Sequence, residues 1–529
     1  MGIIHNKIGI VILLCTSLNL SPISAQIKKA SAKRPNIIWI MSDDHSYQTI
    51  SAYGHPISKL ASTPNIDRIA DNGVVFDQAF VENSICTPSR ATLLTGMYSK
   101  NHGQTHFGYG LDPEKPFYSE YLQKAGYHTA VFGKWHLPVS PKGFDYYDIF
   151  EDQGDYYNPA FKTPATQGKY VQEKGYATTL VTDHALAWLE QEKDKDEPFC
   201  MVVLHKAPHR NWMPDLKYLN TYEDVTFPEP KTLFDDYGTR GGQMKVHELS
   251  IANHLGYAFD LKVETLKDEP TLDYIRDSWP VAMDRLDAEQ RALWDGAYEK
   301  INREFLKNRP TGKELISWKY QRYIRDYCKT VKSVDDEVGR ILDYLKANGL
   351  EDNTMIVYTS DQGFFMGEHG LYDKRFMYEE SFRTPLLISF PSHVKGGWHS
   401  DKLVQNIDFA PTILDAAGIA IPENMDGKSL MPILRKDKKL HWRDRLFYAF
   451  YDYPAVGAVR PHYGVRTERY KLMHWLNRDP TTGKTEFDHW ELYDLKKDPN
   501  ELENRYNEQG YSKVIKDLKE KIMPFEKTL

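Results

Sequence analysis

The sequence predicts an α/β fold with a mostly parallel sheet. Three observations carry this: short apolar runs with few charges, helical patterns between them, and polar clusters immediately after the runs. Five runs read as strands buried on both faces: residues 36–41 (NIIWIM), 129–132 (TAVF), 199–204 (FCMVVL), 355–359 (MIVYT) and 386–390 (LLISF). They are rich in β-branched residues and lack the in-out alternation of a half-exposed strand, as expected where helices cover both faces of a sheet. The clearest helix carries Tyr320, Tyr323, Tyr327, Val331, Val334, Val338, Ile341 and Leu345 at spacings of three and four. That stripe marks one helix face ending near Gly349. Strands alternating with helices predict the α/β class.

With 529 residues the chain is long enough for one large domain and a smaller one. Residues 1–25 read as a signal peptide: Lys7, an apolar run over 8–14, then small and polar residues up to Ala25. The run is too short to span a bilayer, so the mature chain is expected to be secreted or periplasmic. A lipidated Cys15 is the weaker reading, because Leu13 and Leu14 are bulkier than a lipoprotein cleavage site accepts. No later stretch approaches about 18 apolar residues, so no transmembrane segment is expected in the mature chain. Cys86, Cys200 and Cys328 then remain, an odd number, and one needs a task other than an internal disulfide.

Hydrophobic residues make up 41 % and aromatics 13 %, a globular composition. Lys+Arg of 67 against Asp+Glu of 74 gives −7, unlike the basic footprint of a nucleic-acid binder. A small anionic substrate would need a local cluster of cations. The large domain is expected over residues 26–435, interrupted around 211–319 by a charged, aromatic-rich insertion with a helix over 287–307. From 436 to 529 the texture changes. RLFYAFYDY, HYGVRTERYKLMHWL and EFDHWELYDL alternate like half-exposed antiparallel strands, and a lysine-rich helix comes after them.

The polar residues at the strand ends point to function. NIIWIM runs into Ser42-Asp43-Asp44, TAVF into Gly133-Lys134-Trp135-His136, FCMVVL into His205-Lys206-Ala207-Pro208-His209, and MIVYT into Ser360-Asp361-Gln362. Ligands of open α/β sheets bind at the carboxyl ends of strands, so these turns should share one crevice. An Asp-Asp pair alone is most often a solvated turn or cap. Three carboxylates held close would repel unless a cation sat among them, and an oxygen donor set favours a hard ion such as calcium over zinc. Cys86 opens CTPSRATLLTG, in which Pro88 suits a first helical turn. A helix N-terminus is a natural seat for an anion, although a buried structural cysteine is the ordinary alternative.

CTPSRATLLTG is very similar to the signature of the type I sulfatases, in which the cysteine of Cys-x-Pro-Ser-Arg is oxidised to formylglycine. The resemblance continues through RPNIIWIMSDD, TPNIDRIADNGVVFDQAF, GKWH, APH, TSDQG, GLYDKRFMYEESFRTPLL and ELYDLKKDPNELEN. It implies the alkaline-phosphatase-like α/β fold with a small C-terminal antiparallel sheet plus helix. It also implies that Asp43, Asp44, Asp361, Gln362 and Cys86, as formylglycine, form a calcium site. Gln362 stands where many members have Asn, and its amide oxygen reaches one methylene farther out. By the same resemblance Arg90, Lys134 and Lys374 hold the sulfate and the aldehyde hydrate, His136 assists on the hydrate side, and His209 protonates the leaving oxygen.

HKAPHRNWMPDLKYL and YTSDQGFFMGEHGLYDKR resemble N-acetylglucosamine-6-sulfatases more than iduronate-2-sulfatases or simple arylsulfatases. The implied reaction is hydrolysis of a 6-O-sulfate on a glucosamine residue of a glycosaminoglycan or mucin glycan, after a sulfatase-maturating enzyme has acted on Cys86. Other carbohydrate sulfatases, arylsulfatases, phosphoesterases and phosphonate hydrolases stay as alternatives, as does a glycan-binding pseudo-sulfatase. His462, Arg466, His474 and Trp475 are weighed as sugar-reading residues against being ordinary sheet residues.

Overall fold

A computed structural model describes residues 1–2 and 33–527, apart from 268, 270–272, 454, 479–481 and 483. Beyond its first two residues, the expected signal peptide over 1–25 lies outside them. The large sheet has ten strands among the described residues. In chain order they are β1 Asn36–Ser42, β2 Gly73–Phe76, β3 His128–Gly133, β4 Tyr146–Phe150, β5 Ala160–Lys162, β6 Val171–Gln172, β7 Phe199–His205, β8 Thr354–Ser360, β9 Leu386–Ser389 and β10 Trp398–Ser400. Their spatial order is β10-β2-β9-β8-β1-β7-β3-β4-β5-β6. The run β8-β1-β7-β3-β4 is parallel throughout. The helices used below are α1 Cys86–Thr95, α2 Ala177–Glu192, α3 Ala288–Lys307, α4 Gly312–Ala347, α5 Phe409–Ala416 and α6 Ser512–Glu526.

Period two explains how the apolar runs fill two layers. From β1, Ile38 and Ile40 join Met201, Val203, Ile356 and Tyr358 on the face covered by Ala177 and Val181 of α2 and Val334, Val338 and Ile341 of α4. Ile37, Trp39 and Met41 point the other way, to Val202, Leu204, Met355 and Val357, under Leu93 of α1 and Ile413 of α5. Each such fully buried side chain contributes roughly 1.5–3 kcal/mol. The eight-residue stripe predicted on α4 is buried along its whole length, and the helix ends at Ala347, two residues before Gly349. Between 211 and 319, α3 begins at the expected place, with the Asp287 side chain accepting from the Gln290 N–H as its cap.

All five predicted strands are present, within two residues at each end. β9, however, runs antiparallel to both β8 and β2. Strands β2, β4, β5, β6 and β10 escaped the sequence reading. They are two to five residues long, too short for an apolar run to stand out from its surroundings.

The second sheet is antiparallel in chain order: β11 Arg445–Phe450, β12 His462–Thr467, β13 Tyr470–Arg478 and β14 Thr485–Asp494. One face takes Leu518, Ile522 and Phe525 of α6 against Val465, Leu472 and Leu492. The other face sends Tyr448, Met473, Trp475 and Tyr493 into a cluster with Tyr372, Phe376 and Met377. The small sheet thereby braces residues 372–378. The Met377 N–H donates to His462 Nε2 at 3.1 Å, Lys471 donates to the Met377 carbonyl at 2.7 Å, and the Tyr448 hydroxyl to the Arg375 carbonyl at 2.7 Å. No helix among the described residues is long and apolar enough to cross a membrane.

Candidate active site

The parallel register places four strand ends side by side: Ser42 of β1 pairs with His205 of β7 and with Ser360 of β8, and Gly133 of β3 pairs with Leu204. At about 4.8 Å per strand, the residues just past these ends lie within roughly 15 Å along one edge. Asp43 and Asp44 leave β1, Lys134 and His136 leave β3, His209 comes after β7, and Asp361 and Gln362 leave β8. Cys86 enters from the side, as first residue of α1, which is buried throughout. Arg90 lies one helical turn on and shares its face.

These groups are in contact. Cys86 Sγ lies 3.5 Å from Asp43 Oδ1 and 3.8 Å from Gln362 Nε2. Arg90 donates through Nε to Asp361 Oδ2 at 3.0 Å, its terminal nitrogen lies 2.9 Å from the same oxygen, and Asp43 is 3.7 Å away. Lys134 pairs with Asp43, and Lys374 with Asp44. His209 Nε2 lies 3.7 Å from Asp44 Oδ2, while its Nδ1–H donates to the Arg210 carbonyl. His136 is less tightly joined: Nε2 is 3.6 Å from Asp152, Phe107 packs edge-on at 5.1 Å, and Nδ1 is buried without a partner.

Residues here that hold positive φ without being glycine include Asp44 at 62°, His136 at 54°, Asp152 at 46°, Asp373 at 72° and Arg375 at 90°. Such conformations cost about 1–3 kcal/mol each, persist only where surrounding contacts hold them, and concentrate at functional sites. The last two flank Lys374, on the loop braced by the small sheet.

Carboxylate oxygens of Asp43, Asp44 and Asp361 lie within 4.8 Å of one another. Asp44 Oδ2 and Gln362 Oε1 are buried and lack any hydrogen-bond donor. Burial pushes the Asp44 carboxyl up to about 7, with Asp43 and Asp361 adding to the rise against Lys374. Burial and Asp43 push Asp361 up to about 6. Against its burial, Asp43 is held well below the usual range by neighbouring basic groups, Lys134 first and then His209, Arg90 and Lys374. Two orphaned oxygens and two carboxyls reluctant to ionise fit a site that takes a hard cation. Burial also pushes the Cys86 thiol up to about 12, so the unmodified side chain is a neutral thiol and a poor nucleophile.

A cavity of about 850 Å³ opens above Cys86, Asp44, His209 and Lys374. His462, His474 and Trp475 do not line it. The rings of His462 and Trp475 pack 4.0 Å apart, tilted by 31°, in the core against the small sheet, and His474 pairs with Asp488. Arg466 lines a separate cavity, where it binds Glu379. Sequence reading missed Asp152 and Gln153, whose side-chain oxygens face His136 at 3.6 Å and Lys134 at 3.3 Å. They come after β4, parallel to β3, and recognising YYDIF as a strand would have put them at the same edge.

The Sulfatase family profile matches residues 35–419. The chain belongs to the sulfatase family. It is therefore a sulfuric ester hydrolase, and its residues 367–528 also match the C-terminal region of N-sulphoglucosamine sulphohydrolase. An N-acetylglucosamine-6-O-sulfatase of Bacteroides thetaiotaomicron is 45% identical over 499 residues, covering 93% of this sulfatase and 86% of the relative. A solved structure of a protein in complex with its substrate D-glucosamine-2-N,6-O-disulfate superposes with a TM-score of 0.86 at 44% identity, covering 94% of this chain and 98% of that one. A phosphonate monoester hydrolase of Agrobacterium radiobacter has a TM-score of 0.66 at 22% identity, covering 94% and 96%, and shares the fold.

Proposed function

We propose that this sulfatase removes the 6-O-sulfate of N-acetylglucosamine or a related glucosamine in a glycan, using formylglycine made from Cys86 and one calcium ion. The observation that carries the reading is the convergence of Cys86 on the cluster of Asp43, Asp44 and Asp361, in a chain 45% identical to an N-acetylglucosamine-6-O-sulfatase. Asp43, Asp44, Asp361 and the Gln362 amide oxygen would hold the ion. When present, calcium supplies positive charge to sulfuryl oxygens, and the modified Cys86 supplies the oxygen nucleophile that a neutral thiol cannot.

The remaining residues bind sulfate and move protons. Lys134, Arg90 and Lys374 surround Cys86 and offset charge on the sulfuryl oxygens as the bond to the leaving oxygen lengthens. Their partner carboxylates fix them in direction. His209 donates through Nδ1 to the Arg210 carbonyl, which leaves Nε2 as the atom that, once protonated, passes its proton to the leaving sugar oxygen; burial and Lys134 hold this imidazole well below its usual range, so Nε2 must take up that proton as the substrate's negative charge arrives. His136 acts on the Cys86 side, turned by Asp152. The reading requires a sulfatase-maturating enzyme as a partner, and export to the periplasm or beyond, where sulfated glycans are met.

Two measurements test it together. Mass spectrometry of the peptide containing Cys86, from protein made in its own host, should find the aldehyde or its hydrate. Sulfate release should be far faster from 6-O-sulfated N-acetylglucosamine than from a 2-O-sulfated uronate, a nitrophenyl sulfate or a sugar phosphate. Unmodified cysteine in active protein would end the nucleophile assignment. Faster release of phosphate than of sulfate would turn the reading toward a phosphoesterase.

A further inference from the structure

The mouth of the reaction cavity carries two large apolar side chains held out into water: Phe107 is 41% exposed and Tyr109 is 66% exposed. Cys86 and Asp44, at the other end of the same cavity, are 2% and 1% exposed. An exposed aromatic is unremarkable on a loose loop, but this loop is built to hold its shape. Gln104 is fully buried beneath it, and its amide nitrogen donates to the carbonyls of His106 and Tyr109, each at 2.6 Å. The amide oxygen accepts the Leu111 N–H at 3.0 Å, so one side chain ties together both arms of the loop.

The neck is equally constrained. The Asp112 N–H donates to the His102 carbonyl at 3.0 Å. Gly103 and Gly110 face each other there with φ of 86° and 115°, and a Cβ on Gly103 would lie 2.5 Å from the Gly110 carbonyl oxygen. At the tip, the rings of His106 and Tyr109 stack at 5.7 Å, and Phe107 packs against His136 at 5.1 Å. The exposed rings are therefore preorganised, and little side-chain entropy is lost when a ligand covers them.

Resting on the glycan 6-O-sulfate reading above, we infer that Phe107 and Tyr109 form a stacking platform for the sugar next to the sulfated residue, so the preferred substrate is an oligosaccharide rather than a monosaccharide. Depth decides which ring they meet. A glucosamine whose 6-O-sulfate reaches Cys86 occupies the buried end, and the neighbouring ring of the same chain emerges at the mouth. The C–H faces of a pyranose are apolar and flat, and they suit an aromatic face already fixed in direction. The adjoining exposed Val281 and Val456, which line the same cavity, extend the apolar rim.

The test compares kcat and KM of the wild type, Tyr109→Ala and Tyr109→Phe on two substrates: 6-O-sulfated N-acetylglucosamine, and an oligosaccharide ending in that residue. Tyr109→Ala should raise KM on the oligosaccharide by about three- to tenfold and leave both constants on the monosaccharide within about twofold. Tyr109→Phe, which keeps the ring, should behave as the wild type on both. Equal changes on the two substrates, or no change on either, would overturn the platform. If the wild type desulfates neither substrate, the 6-O-sulfate reading fails and takes this inference with it. If it desulfates both and Tyr109→Ala does not separate them, only the platform fails.

Discussion

Asp361→Asn is the substitution that most directly separates a metal ligand from a structural carboxylate. Asp361 accepts from Arg90 Nε at 3.0 Å, from the Asp44 N–H at 3.1 Å and from Gln362 Nε2 at 2.8 Å. Asparagine keeps the shape and one acceptor oxygen but removes the charge. Arg90, only 2% exposed, is then left with Asp43 at 3.7 Å and the Lys134 carbonyl. Breaking a buried pair costs about 3–5 kcal/mol, and the retained acceptor puts this case at the lower end.

Metal linkage adds a second quantity with a different signature. Calcium at 100 times its dissociation constant stabilises the folded state by about 2.7 kcal/mol, so exhaustive chelation should cost the wild type about that much. In Asp361→Asn the site is incomplete, and chelation should cost less than about 1 kcal/mol. The assay is denaturant unfolding of both proteins in excess calcium and in chelator, with sulfate release measured in parallel. Turnover of the variant should fall by at least about 10²-fold. An equal chelation cost in both proteins would remove Asp361 from the ligand set. Full wild-type turnover after exhaustive chelation would refute the cation site itself.

His209→Ala should lose about 10²–10⁴-fold on a sugar sulfate and much less on a nitrophenyl sulfate, whose leaving anion needs no proton. His136→Ala should impair both substrates alike, and both variants must first be shown to carry modified Cys86. Gly133→Ala should abolish turnover and lower the unfolding midpoint, because Gly133 has φ of 89° and a Cβ there would lie 2.1 Å from the Leu204 carbonyl oxygen. The shift displaces Lys134, and a fully active, equally stable variant would contradict it. His462 donates from Nδ1 to the Arg460 carbonyl and accepts the Met377 N–H at Nε2, so it is held neutral, and burial lowers it to about 3. The unfolded chain binds a proton below pH 6.5 that the folded chain refuses. Stability from this group is thus complete above pH 6.5 and falls on acidification, by about 2 kcal/mol between pH 6.5 and 5. His462→Gln should flatten that part of the wild-type pH profile, and an unchanged slope would rule out the linkage.

The amino-acid sequence alone was enough to locate the central strands, the stripe of α4 and the turns that carry Asp43, Lys134, His209 and Asp361. Those features are written locally: an apolar run states its own burial, and the next few residues inherit its position at the sheet edge. The Cys86 segment was legible for a different reason, its likeness to a known motif, since a buried cysteine at a helix start has no chemistry of its own at a thiol raised to about 12. Only tertiary structure decided which strands are neighbours, that β9 runs antiparallel, and that Asp152 and Gln153 leave a fifth parallel strand at the same edge. It also separated His462 and Trp475, which sit in the core, from Lys374, which a distant sheet braces against Asp44. Side chains that meet across hundreds of residues do so through packing, and no local periodicity records which apolar face a given face will meet.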